Sequence, residues 1–206
     1  MARFLGEEGK RALQAAVERI EAGSAAEAVV VVPVQSGCYL HADLLGGIIC
    51  GWLGLGFLLL SPWFFSLASI WLDPLVCGLL GAGLVSRVPG LRRWLTPAKW
   101  RREGVLRCAQ AAFVERRISE TRDRSGLLIY VSQLEREAVV LADLGLRQAV
   151  SSSDWQRLES ALRDAARAGD ASRAARALSD FALVAQAALP RRADDLNELA
   201  DSVVCE

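Results

Sequence analysis

The chain has 206 residues, and its 24 lysines and arginines are balanced by 24 aspartates and glutamates, so the net charge is zero. That balance excludes a generally basic nucleic-acid binder and a generally acidic protein, and the length leaves room for one membrane hairpin and one soluble domain of modest size. The cysteines are odd in number with no Cys-x-x-Cys among them, which fits reduced thiols in a cytoplasmic setting better than a disulfide framework.

The first residues, Met-Ala-Arg-Phe-Leu-Gly-Glu-Glu, have no apolar core and no small-residue cleavage site, so no secretory signal is expected there. Residues 4–22 predict a helix with Leu13, Val17 and Ile20 on one stripe and Gly23 placed as its C-cap. Residues 28–34 (Ala-Val-Val-Val-Val-Pro-Val) are apolar on both faces and rich in β-branched side chains, as in a strand covered on both sides, with Pro33 at its end. Cys38-x-x-His41 has zinc-ligand residue types at helical spacing. His41 is the only histidine, however, and a zinc site needs three or four protein ligands, so no metal or cofactor is expected.

Residues 44–72 contain no charged side chain, and after Asp73 the apolar run continues to Ser86. This exceeds the ~18 residues that mark a membrane span and is too long for one helix, because ~30 Å of hydrocarbon needs only about 20 residues. The stretch predicts a helical hairpin that enters and leaves on the same side. Ser61-Pro62 and Asp73-Pro74 each offer a helix start. A turn at Ser61 gives spans at about residues 42–60 and 64–86, with Asp73 inside the second. A turn at Asp73 leaves residues 74–86 to cross alone, only about 20 Å, so the Ser61 turn is preferred. Trp63, Phe64, Phe65 and Trp71 suit the far interface, and the glycines of both halves would let the helices approach closely. Asp73 is either a carboxyl in a proton or ion path or the cap of a turn.

Thr96-Pro97 starts a basic helix whose apolar face, Val105, Ala109, Ala112 and Phe113, continues to about Thr121. Residues 126–132 and 138–142 predict two strands joined by a hairpin connection at 133–137. Ser153-Asp154-Trp155-Gln156 reads as a capping box for a helix with Trp155, Leu158 and Leu162 on its stripe, ending before Gly169. Asp170 opens a last helix, stopped by Pro190, in which Ala174, Leu178, Phe181, Ala185 and Leu189 face one way. The acidic tail reads as polar, extended or loosely ordered. The expected organisation is 1–40, first part of an α/β domain; 41–95, transmembrane hairpin; 96–190, second part of the domain; 191–206, tail.

Charge sets the topology. Arg87, Arg92, Arg93, Lys99, Arg101 and Arg102 follow the second span with no acid among them, whereas residues 20–43 hold no Lys or Arg. Positive flanks stay in the cytoplasm, which puts both termini and the α/β domain on that side. Arg92, Arg93, Lys99, Arg101 and Arg102 are candidate membrane-surface residues, each worth about 1 kcal/mol near anionic lipid.

A family resemblance rests on several stretches in a fixed order. They are residues 26–34 (Ala-Glu-Ala-Val-Val-Val-Val-Pro-Val), the Phe113 helix, residues 121–132 (Thr-Arg-Asp-Arg-Ser-Gly-Leu-Leu-Ile-Tyr-Val-Ser), residues 135–146 (Glu-Arg-Glu-Ala-Val-Val-Leu-Ala-Asp-Leu-Gly-Leu) and Asp154-Trp155. Together these resemble the TPM domain (TPM phosphatase-type) family over about residues 18–189. Asn197-Glu198-Leu199-Ala200-Asp201 resembles an ending of membrane-inserted bacterial members, which implies the inner membrane, multi-pass. The resemblance implies a small three-layer α/β/α sandwich with a mixed sheet, strands 126–132 and 138–142 antiparallel, plus an inserted two-helix transmembrane hairpin.

The family includes acid phosphatases and proteins that bind calcium through acidic loops. In this chain the family's acid two places before the glycine that opens the central strand falls on Arg124, with Asp123 one place off. Its Gly-x-Glu becomes Gly145-Leu146-Arg147, and a further acid falls near Ser152. Calcium takes six to eight oxygens and a phosphatase needs a nucleophile or a metal, so the site reads as degenerate. The expectation is a membrane-anchored, non-catalytic binding or scaffolding module, with the lipid bilayer and a protein as partners and no nucleic acid. One alternative is a phosphatase-type hydrolase with relocated acids, for which Asp123, Asp143 and Asp154 are the candidates; Asp143 is otherwise the carboxylate of a strand-end turn. Another is a small transporter subunit using Asp73. Arg136 and Arg147 are either phosphate binders or solvent-facing.

Overall fold

The valine run Glu27–Val32 (β1) is buried along its whole length because helices cover both of its faces. A computed structural model places it; the structure describes residues 4, 6–121, 123–191 and 203–205. The chain divides into two compact units, one of Met1–Ser36 with Arg102–Glu206 and one of Gly37–Arg101.

The first unit is α/β, built on a small mixed sheet in the order β3-β2-β1-β4. β2 (Gly126–Ser132) runs parallel to β1, with Val29 opposite Leu128, and β3 (Glu137–Ala142) is antiparallel to β2, with Leu128 opposite Leu141. β4 (Val203–Cys205) lies parallel on the other side of β1. Successive side chains along a strand point to opposite faces. Val30, Val32, Leu127 and Ile129 accordingly join one core with α1 (Glu7–Gly23), α7 (Ser152–Ala168) and α8 (Ala171–Ala188). Val29, Val31, Leu128 and Tyr130 join another with Val105 and Ala109 of α5 (Ala98–Glu115) and with Ile118 of the single turn Ile118–Glu120.

Helix boundaries differ from the sequence expectations where several cap residues compete. Gly23 is not the cap of α1; the helix runs through it, and Ser24 closes the turn by donating both its N–H (3.0 Å) and its hydroxyl (2.7 Å) to the Ile20 carbonyl. The cap of α7 is Ser151 rather than Ser153. Ser151 is the residue with extended backbone, and its hydroxyl oxygen accepts the Asp154 N–H at 3.2 Å. Trp155, Leu158 and Leu162 remain on the buried stripe. Gly169 takes the left-handed φ of +67° that ends α7, and Asp170 caps α8 through the Ser172 N–H. Of the tail, Val203–Cys205 forms β4, which its polar surroundings did not suggest; residues 192–202, including Asn197 to Asp201, lie outside the described residues.

The second unit holds α2 (Leu40–Leu60) and α3 (Leu67–Arg87), followed by the short α4 (Pro89–Leu95), which no periodicity announced. The break falls at residues 61–66, and Ser66 caps α3 by accepting the Ser69 N–H at 3.2 Å. Asp73 and Pro74 lie inside α3, the arrangement of the Ser61 alternative. Both long helices are apolar and extended enough to cross a membrane by length and composition, and most of their surface is exposed. They touch along glycines: a Cβ at Gly47 would stand 2.9 Å from the Gly78 carbonyl oxygen, and one at Gly81 would stand 2.5 Å from the Cys50 Cβ. Only a missing side chain permits backbones this close.

This contact is testable by crosslinking. A Cβ at Gly54 would lie 3.1 Å from the Cys77 Cβ, whereas one at Gly56 meets nothing within 4 Å. In detergent, oxidised Gly54→Cys is expected to form an intramolecular disulfide that protects Cys77 from maleimide, because bridged Cβ atoms need about 3.5–4.5 Å. Gly56→Cys is expected to leave Cys77 reactive, and equal protection in both variants would refute the pairing.

Candidate functional site

The loop before β2 is tied to the loop after β3. Arg124, in the left-handed region at φ 49°, donates its N–H to the Thr121 carbonyl at 3.0 Å, and the Ser125 N–H reaches the Thr121 hydroxyl at 3.0 Å. The Arg124 carbonyl then accepts the N–H groups of Gly145 (3.0 Å) and Leu146 (3.3 Å). A Cβ at Gly145 would come within 2.4 Å of the Asp123 carbonyl oxygen, so glycine is required for this approach. Asp123 and Asp143 are thereby carried on neighbouring loops.

Asp143 caps α6 (Leu144–Ala149), its Oδ1 accepting the Leu144 N–H at 2.7 Å, while its Oδ2 is buried without a hydrogen-bond partner among the described residues. Asp154 accepts the Ser151 hydroxyl at 2.6 Å and the Arg157 guanidinium at 3.2 Å. It lines a cleft of about 210 Å³ between α7 and α8 with Asp180 and Phe181. Late in α7, Arg163 lies 3.9 Å from Glu137 and the Arg167 carbonyl accepts Arg136, so the helix begins at the end of the sheet where β3 finishes. Asp123, Asp143 and Asp154 therefore share one end of the fold. Among the described residues, no group of three or more His, Cys, Asp or Glu side chains is placed to hold a metal ion. Arg124 and Arg147 are exposed at this end.

The opposite end of the sheet holds a buried polar cluster that sequence reading missed. Glu135, 2% exposed in the β2–β3 turn, accepts the Ser36 N–H at 2.9 Å on one carboxylate oxygen and the Ser132 hydroxyl, in a very short bond, on the other. The Ser36 hydroxyl donates to Ser132 Oγ at 2.7 Å, and the Cys108 thiol donates to the Ser36 carbonyl at 2.8 Å. Backbone bonds from Gln133 and Leu134 to the Pro33 and Val34 carbonyls complete the joint. The donors all converge on acceptors already inside the cluster, which makes it a lock on residues 33–36. The one local signal was a serine three places before a turn glutamate; the partner at Ser36 is too remote in sequence to be read.

In the second unit, Arg92 meets Asp43 in a two-pronged ion pair, Nε to Oδ1 at 2.9 Å and Nη2 to Oδ2 at 2.7 Å, with both side chains mostly buried. The Asp43 hydrogen bond raises the Arg92 pKa above its ordinary value. Because the folded value is the higher one, alkali is resisted: on the arginine side the stabilisation is lost only as the guanidinium deprotonates in strong base. Of the other candidate surface cations, Arg93 and Lys99 make contacts of their own, Arg101 is half-buried with its Nε unpartnered among the described residues, and Arg102 is exposed in the first unit. Cys38 is exposed, and His41 lies 3.1 Å from the Thr96 hydroxyl through Nε2.

Replacing Glu135 by Ala leaves the half-buried Ser36 N–H and the buried Ser132 hydroxyl without their acceptor. Each unsatisfied group costs about 1–3 kcal/mol, so Glu135→Ala is expected to lower the unfolding midpoint well beyond Glu135→Gln, which keeps one acceptor oxygen. Equal midpoints for wild type and Glu135→Ala would refute the lock. Gly145→Ala presses a methyl group onto backbone and is expected to cost about 1–3 kcal/mol in the same measurement.

No protein-family model and no curated protein matches the chain. Among solved structures it is similar to the NMR structure of the BA42 protein from the psychrophilic bacterium Bizionia argentinensis, with a TM-score of 0.59 and 14% identity over 100% of this chain and 98% of that one. At that identity the likeness is one of fold alone.

Proposed function

We propose that the chain is a TPM-like, three-layer α/β/α domain anchored in the inner membrane by the α2–α3 hairpin. It faces the cytoplasm and serves as a non-catalytic binding or scaffolding module for a protein partner. The carrying observation is the exposure of the hairpin: Trp52 is 70% and Leu60 89% exposed on helices that are apolar all round. A water-soluble chain does not present that much apolar surface, whereas lipid tails cover it without cost. Helices of 21 residues are about 31 Å long, matching the hydrocarbon core. The antiparallel pairing keeps both connections on one side, and the basic residues after α3 favour the cytoplasm for that side.

The non-catalytic part rests on the acids at the β3 end. Asp143 and Asp154 are engaged in helix caps, and arginines stand at 124 and 147, where the resembled family has carboxylates. A phosphatase-type hydrolase is the second reading, favoured by the buried Asp143 Oδ2, unpartnered among the described residues and beside the Asp123 loop. Transport through Asp73 is less well supported, since two helices enclose no path by themselves.

The chain is expected to stay with membranes through alkaline carbonate extraction, and recovery in the soluble fraction would overturn the anchored reading. The purified protein is expected not to hydrolyse a generic phosphomonoester with calcium or magnesium present. Turnover that disappears in Asp143→Ala would establish the second reading instead.

A further inference from the structure

Around α4 the side chains sort by chemistry. Arg92 is held against α2 by its two bonds to Asp43, and Trp94, two positions further on, is turned about 200° away around the helix. Trp94 is 80% exposed. Trp100 is 56% exposed and meets the His41 ring edge-on at 5.6 Å, while His41 is also held to Thr96. These contacts place both indoles at the end of the hairpin where α2 begins. A Cβ at Gly46 would touch Val85, so α3 finishes at the same end, with Arg87 as its last residue. Arg93, Lys99 and Arg101 belong to this stretch, and residues 74–102 contain no acid. The other end of the hairpin has exposed rings too, Trp63 and Phe64, but residues 44–86 contain no cation.

Exposed indoles beside cations match the boundary between acyl chains and headgroups. Tryptophan rests there with its ring in the apolar side and its N–H toward water, and cations at that depth attract anionic lipid. We infer that the belt formed by Arg87, Arg93, Lys99 and Arg101 with Trp94 and Trp100 binds anionic phospholipid headgroups in the leaflet at the base of the hairpin. Arg92 is a positioning residue; Asp43 neutralises it, and the pair holds α4 so that Trp94 faces outward. The inference rests on the membrane-anchored reading and adds the lipid class and the residues that select it.

The test uses the full chain in phosphatidylcholine vesicles containing about 30 mol% phosphatidylglycerol, with brominated acyl chains on one lipid or the other. The tryptophan fluorescence that is lost in the Trp94→Phe/Trp100→Phe variant reports the belt. Brominated phosphatidylglycerol is expected to quench that component about fivefold more per lipid than brominated phosphatidylcholine, since one surface cation strengthens the attraction by about that factor. The preference is expected to vanish in Arg87→Gln/Arg93→Gln/Lys99→Gln/Arg101→Gln, a variant that still resists carbonate extraction. Equal quenching by the two lipids, in vesicles that retain the wild-type chain, overturns the inference and leaves the anchored reading intact. Inorganic phosphate abolishing the preference at constant ionic strength would also overturn it, marking a free-anion site. Loss of the chain from both vesicle types overturns the anchored reading and the inference together.

Discussion

An apolar hairpin can interrupt a sheet only if the chain leaves and returns without pulling the strands apart, and two sets of hydrogen bonds meet that condition. In the α/β unit, Ser36 is held by Glu135 through its N–H and by the Cys108 thiol through its carbonyl, so the points of departure and return are joined. In the apolar unit, His41 at the start contacts Thr96 and Trp100 near the end. An insertion whose ends already meet adds little to the entropy of closing the crossover, because that cost grows only logarithmically with length. β1 can then find β2 across residues 33–125 and bury both of its faces.

The same economy of polar groups explains the acids. A carboxylate that caps a helix gains a hydrogen bond where the backbone would otherwise lack one, and Asp143, Asp154 and Asp170 each act in this way or support such a cap. Glu135 differs in that one of its two donors, the Ser36 N–H, is distant in sequence, and its burial makes the loss of either donor costly. In the apolar unit Asp43 and Arg92 follow the same rule, each charge tolerable at the edge of an apolar helix pair because the other answers it.

Much of the architecture was legible in the chain. The two-faced apolar run at β1, the stripes of α1, α7 and α8, and the β2–β3 hairpin followed from periodicity. The short α4 and α6 did not, since six or seven residues are too few to display a helical stripe. Cap positions slipped where Gly23 and Ser24, or Ser151 and Ser153, offered alternatives of similar local strength. At the candidate site, all three acids proposed from sequence lie at one end of the sheet, yet Asp143 caps α6 and Asp154 supports the cap of α7, and Glu135, the most buried carboxylate among the described residues, stands in the sequence only as part of a motif.

By itself the sequence determined the apolar helices, strands β1 to β3 and the charge asymmetry around the hairpin, because burial preference and charge are properties of each side chain and show wherever a run is long enough. Tertiary structure alone decided that Arg92 belongs to Asp43, that Glu135 locks Ser36, and that the Asp123 and Asp143 loops meet across Gly145. Those outcomes depend on which distant groups arrive within about 3 Å with the right direction, a condition set by packing and not by neighbours in the chain.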